Sequence, residues 1–206
     1  MTIKFDFGDG PVPAHQHTNG GGWVADTACV ADSAFVGPTA QVFGEARIGS
    51  EAQVCGQAQV GGQAQVGGQA LVFDQARVGG QARVFDNAWI SGEAQVFGQA
   101  LVFGEAWVFD KAWISGEAQV AGQAQVGGAA RVFDKAQVSG EAQVGGQVQV
   151  SGQARVFGET WICGGARVFD KARISGEAQI GGQAQVFGQA QVGGAAQIYG
   201  QMRVSD

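Results

Sequence analysis

Two histidines, three cysteines and a scatter of carboxylates are the side chains of this 206-residue chain that bear on catalysis or metal binding. His15 and His17 stand two apart, so an extended backbone turns both rings to one side, which is how a two-imidazole metal site begins. No Cys, Asp or Glu stands at a matching spacing, and the expectation is two loop histidines with no metal. Cys29, Cys55 and Cys163 are an odd set with neither metal-ligand spacing nor a disulfide framework. They read as reduced thiols, which points to the cytoplasm. The Asp and Glu residues fall at turn positions, where forming the turn and carrying solvated charge account for them. Residues 22–206 contain no histidine, so the general base that group transfer needs has no candidate there. The glycines carry no Walker motif, because no Gly-Lys-Ser/Thr follows them. No catalytic residue, cofactor or metal is expected, and the chain does not read as an enzyme.

The composition narrows the classes further. There are 36 glycines but only 3 prolines, without the Gly-X-Y period of collagen. A net charge of −6 lacks the basic excess of a nucleic-acid surface. The acids are also too dispersed for a polyanionic mimic. No run of 18 apolar residues and no apolar leader core occurs, so neither a membrane span nor a signal peptide is expected.

Position in the chain is governed by a six-residue repeat. From Val24 to Val204 every sixth residue is Val or Ile, with no slip. Two residues earlier stands Ala, except at Gly22, Val148, Thr160 and Met202. A helix cannot use this period, because six residues rotate successive valines to different sides of the cylinder. A strand can. In Ala-x-Val the first and third residues share one face and the middle one points away. Gly or Asp two places after the valine supplies a corner. Such short strands are stable only when stacked coil on coil, with Val and Ala forming interior ladders. The expected fold is therefore all-β: a single-stranded parallel β-helix, or solenoid, over residues 22–206.

Residues 1–21 lie outside the repeat. Ile3 to Phe7 alternates apolar and polar residues and reads as a strand that caps the first coil. A turn-rich stretch leads from it into the repeat.

Two coil sizes are open. Phe-Asp pairs at Phe73, Phe85, Phe109, Phe133 and Phe169 fall in one 12-residue register, and serines at Ser91, Ser115, Ser139, Ser151 and Ser175 fall in the other. This favours a flat coil of two hexads, about 72 Å tall over the whole repeat. The alternative is a triangular coil of three hexads and 18 residues, about 48 Å tall.

The outward residue of each triplet is mostly Gln or Arg and carries the surface information. Leu71, Trp89, Leu101, Trp107, Trp113 and Trp161 break that pattern and predict an apolar contact patch. In the 12-residue coil Trp89, Leu101 and Trp113 stack directly, whereas in the 18-residue coil Trp89 stacks on Trp107. Arg131, Arg155 and Arg167 share a 12-residue register opposite most of the tryptophans and could meet an anionic partner. The expected interaction residues are thus Trp89, Leu101, Trp107, Trp113, Trp161, Arg131, Arg155 and Arg167.

Units such as Val60-Gly61-Gly62-Gln63-Ala64 resemble the hexapeptide-repeat proteins, which form left-handed parallel β-helices, usually with 18 residues per coil. The stretch from His15 to Ala28, with its Gly20-Gly21-Gly22-Trp23-Val24 core, is similar to a group of such proteins in bacteria, phages and prophages. Some of that group are labelled acyltransferases. The hexapeptide acyltransferases themselves carry a coil histidine, excursion loops and a helical extension, none of which this chain shows. The resemblance thus implies a structural or interaction solenoid, as a virion accessory part or an inhibitor of a host protein. The partner would be a protein or a second copy of the chain, with no nucleic acid or membrane. An acyltransferase-like scaffold is the second reading. Ice binding is a third, disfavoured because regular Thr ladders are missing.

Overall fold

A computed structural model describes residues 3–206, and the valine ladder organises it. Each Ala-x-Val triplet forms a short strand that pairs in parallel with the strand three hexads on: Gln65 with Arg83, Val66 with Val84. The coil therefore holds 18 residues and three strands, and about 10 turns are stacked, roughly 48 Å at about 4.8 Å per coil. This corrects the two-hexad coil expected above. The sides of the triangle are three sheets of 13, 10 and 10 strands, named here the first, second and third faces in chain order.

Backbone hydrogen bonding runs one way along the stack. In each hexad before the last coil the outward residue donates its N–H to the next coil, as from Gln65 to the Ala82 carbonyl at 2.9 Å. Gly67 and Gln69 likewise donate to Val84 and Asp86, at 2.9 and 2.7 Å. Corners thus pair as regularly as strands, which removes the backbone cost that loops usually carry. At a corner such as Val66-Gly67-Gly68-Gln69 the residue two after the valine has φ of +63°, reached by Gly without steric cost. Five aspartates occupy this left-handed position, with φ from 56° to 60°. Each turns its carboxylate to the backbone N–H of the residue one coil on, as Asp110 Oδ2 does to Gly128 at 3.0 Å. Asp is therefore selected both for its tolerance of this backbone and for the bond it adds.

Inside, the aliphatic and alanine ladders are almost completely buried. Each valine contributes roughly 1.5–3 kcal/mol of hydrophobic stabilisation before chain entropy. Alanine contributes less, but its size lets the three walls close on a narrow interior. Thr160 interrupts an alanine ladder and leaves its hydroxyl buried with no hydrogen-bond partner.

The 12-residue pattern has a different meaning in this coil. Three hexads is an odd number, so residues 12 apart along the chain fall on different corners and residues of one corner stand 18 apart. The five Phe-Asp pairs accordingly occupy all three corners rather than one. Rings lean onto the glycine of a neighbouring coil, Phe43 onto Gly61, Phe97 onto Gly79 and Phe109 onto Gly127, at spots where a glycine Cβ would stand 2.3–2.6 Å from the ring.

The amino-terminal end presents the carbonyl side of the stack and is met by donors. Strand β1 (Lys4–Asp6) pairs antiparallel with β2 (Pro11–Gln16), which pairs antiparallel with the first solenoid strand, β3 (Trp23–Ala25). Phe5 stacks on Trp23 with centroids 4.5 Å apart, and Phe7 on Phe43 at 5.5 Å. At the start of the third face Gly22 donates to the Val36 carbonyl at 2.9 Å. A side chain at Gly22 would strike the Gly37 carbonyl, its Cβ only 2.3 Å away, so the alanine of the repeat is replaced by glycine here.

Candidate interaction face

The 18-residue coil sorts the outward residues into three columns. The third face carries Phe35, Leu71, Trp89, Trp107 and Trp161, and glutamine at every other outward position. Leu71 pairs in register with Trp89, and Trp89 with Trp107. The two indoles meet edge to face, centroids 5.2 Å apart and planes at 68°, the arrangement that aromatic quadrupoles favour. Two corner rings extend the cluster: Phe73 lies 6.3 Å from Trp89, and Phe109 lies 6.0 Å from Trp107. Trp89 and Trp107 nevertheless remain 39% exposed. They form a shallow cleft of about 320 Å³ with Asn87 and Glu105. A longer groove of about 700 Å³ runs along the same face from Asn19 and Phe35 to Leu71 and Trp89.

The other expected contact residues disperse. Leu101 lies on the second face between Arg83 and Gln119. Trp113 lies on the first face, where the Arg131 guanidinium sits 5.5 Å from its ring. The expected stack of Trp89, Leu101 and Trp113 therefore does not form, because residues 12 apart stand on different sides of an 18-residue triangle. The arginine set divides for the same reason. Arg131 and Arg167 share the first face with Gln149 between them, and Arg155 is on the second face beside Arg173. Trp161 is on the third face, three coils beyond Trp107, and is half exposed.

Charge follows the same sorting. Arg77, Arg131, Arg167 and Arg203 lie on the first face, and Arg47, Arg83, Arg155 and Arg173 on the second. These are all the arginines of the chain. The outward column of the third face carries no charge at all. This property is invisible at a 12-residue period and plain when the outward residues are aligned three hexads apart.

The histidines separate. His15 Nδ1 lies 2.9 Å from Asp26 Oδ1, exposed. His17 is buried and its Nε2 meets the Ala34 carbonyl at 3.1 Å, which requires that nitrogen to donate. Asn19 donates to the same carbonyl at 3.0 Å, so both side chains serve the capped edge. Among the described residues no group of three or more metal-ligating side chains converges, and no helix is long and apolar enough to cross a membrane. All three cysteines are free. Burial pushes the Cys55 thiol up, which makes it a poorer nucleophile. Two exposed ion pairs, Lys111–Glu93 at 3.6 Å and Lys135–Glu117 at 3.4 Å, link adjacent coils. Exposed pairs of this kind add little stability.

The architecture defines the class, a parallel β-solenoid scaffold. No family model matches the chain, and no curated protein matches it.

Proposed function

We propose that the protein is a non-enzymatic β-solenoid whose third face binds another protein chain. The observation that carries this reading is the Leu71–Trp89–Trp107 column, an exposed aromatic surface flanked by Phe73 and Phe109 in an outward column without charge. The outward column itself contributes no ionised group, so charge burial on binding is confined to the rim, where Glu51 and Glu105 border it. Tryptophan is also the side chain most enriched where binding energy concentrates. The scaffold suits the task, because a fully paired backbone and a dry core hold the column rigid and little ordering entropy remains to be lost on binding.

The similarity of residues 15–28 to bacterial and phage repeat proteins supports a virion accessory part, or an inhibitor of a host protein, as the biological setting. The arginine-bearing faces are secondary, because each arginine column is interrupted by glutamine and bordered by acids.

The test compares Trp89→Ser with Trp107→Ser together against Trp113→Ser, measuring the native size of the protein in extracts of cells that express it. The double variant should lose a larger assembly while keeping its melting temperature, and Trp113→Ser should retain it. Equal assembly in both would refute the reading.

A further inference from the structure

We infer that the partner segment on the third face is a cationic amphipathic helix, lying along the solenoid axis with its apolar stripe on the tryptophan column and Lys or Arg on both flanks. This rests on the reading of that face as a protein-binding surface and names the chemistry of what it binds.

The charge around the column carries the inference. From Phe35 to Trp107 the outward residues are Phe, Gln, Leu, Trp and Trp. Over those coils the corner leading into the face carries Asp32, Glu51, Asp86 and Glu105, and no cation. The corner leaving it carries Asp74, Glu93 and Asp110, and one cation, Lys111, whose ammonium stands 3.6 Å from Glu93 of its own chain. All of these acids are exposed. Asp74, Asp86 and Asp110 each accept a backbone N–H from the next coil, which uses one oxygen and leaves the negative charge in place. On the other two faces the outward arginines offset the corner acids. The third face has no such offset, so its aromatic column is an apolar strip between two anionic edges.

An acidic partner surface would set carboxylates against carboxylates, and so would a second copy docking by the same face. Like charges directly opposed disfavour association. A segment with cations on both sides of an apolar centre satisfies strip and edges together. Its ammonium or guanidinium groups reach the rim carboxylates while its stripe covers the indoles.

Geometry selects a helix. Coils repeat at about 4.8 Å along the axis and helix turns at about 5.4 Å, so apolar side chains one turn apart meet successive outward residues. Side chains beside that stripe point sideways, toward the two rims. A strand laid the same way sends its side chains only toward the face or away from it, and offers nothing to either edge. The stretch from Phe35 to Trp107 is roughly 19 Å long at that coil spacing, which about 13 helical residues cover. The groove of about 700 Å³ along Phe35 to Trp89 and the cleft of about 320 Å³ at the two indoles receive the apolar side chains.

The test is titration of the purified full chain with three synthetic peptides of about 14 residues. One has leucines in a single helical stripe flanked by lysines, one has glutamates in place of the lysines, and one has the leucines and lysines shuffled so that no stripe forms. Fluorescence anisotropy of the labelled peptides gives the affinities, and circular dichroism checks the fold of each variant. The striped lysine peptide should bind roughly tenfold or more tighter than either of the others. Trp89→Ser with Trp107→Ser should abolish its binding, which separates this site from general attraction to an acidic protein. Glu51→Gln with Glu105→Gln should weaken it several-fold and flatten its dependence on salt. Equal binding by either other peptide, no binding by the striped lysine peptide, or binding that ignores the tryptophan or the glutamate substitutions would overturn the inference. In those cases an assembly in extracts that depends on Trp89 and Trp107 would leave the proposed function standing, and one indifferent to them would overturn both.

Discussion

The Phe109 ring covers Gly127 one coil further on, so closely that a Cβ on that glycine would stand 2.3 Å from the ring. One coil beyond, at the same corner, Gly145 has nothing within 4 Å of the equivalent point. Two glycines in one column thus differ in the room around them, and a matched pair of alanine substitutions separates them. Gly127→Ala must displace the ring and should cost about 1–3 kcal/mol. Gly145→Ala should be neutral or add about 0.4–1 kcal/mol by restricting the unfolded chain. Urea melts of both variants check this, and Phe109→Ala should remove most of the Gly127→Ala penalty.

The corner aspartates give a second prediction. Asp110 holds φ of +56° and accepts a bond from Gly128. Asn can do both, so Asp110→Asn should leave the melting temperature nearly unchanged. Asp110→Gly keeps the backbone and loses the bond, for about 0.5–1.5 kcal/mol. Asp110→Ala loses the bond and also strains the left-handed backbone, and should be the least stable by a further ~1 kcal/mol.

Thr160 is the point in the core where a substitution should help. Its hydroxyl is buried and unpartnered, and such a group costs about 1–3 kcal/mol. Valine is nearly isosteric and already occupies the same repeat position at Val148, fully buried. Thr160→Val should therefore raise stability by about 1 kcal/mol or more, measured as a shift in denaturation midpoint without change in slope.

The cysteines should differ in reactivity. Cys29 is exposed, whereas Cys55 is partly covered and its thiol is pushed up by burial. Both effects slow alkylation, which proceeds through the thiolate. Iodoacetamide at mildly alkaline pH should modify Cys29 first, with Cys55 catching up as the pH rises. Peptide mass mapping over time checks the order.

Much of this architecture can be read from the residues alone. The uninterrupted Val24–Val204 ladder and its alanine companions admit little besides a stacked-strand solenoid, because only a strand puts Ala and Val on one side at that spacing. The coil size is less legible, since local sequence describes one strand and one corner, and closure after two or three sides is settled by packing between coils. The Phe-Asp register pointed to two hexads because alternation of ring and glycine along the chain looks the same whether the coil has an even or an odd number of sides. A two-hexad register also misplaces the site. Trp89 and Trp107 both stand out in the sequence as apolar outward residues, but their adjacency, and the absence of arginine from Leu71 to Trp161 on that face, appear only once the outward residues are aligned every 18 positions.

The most direct measurement is site-specific photo-crosslinking in living cells, with a photoreactive residue at Gln125 on the third face or at Gln95 on the first. An interface on the third face predicts a discrete covalent adduct from position 125, abolished by Trp89→Ser with Trp107→Ser, and none from position 95. Adducts from position 95 but not from 125, or none from 125 at any expression level, would contradict it.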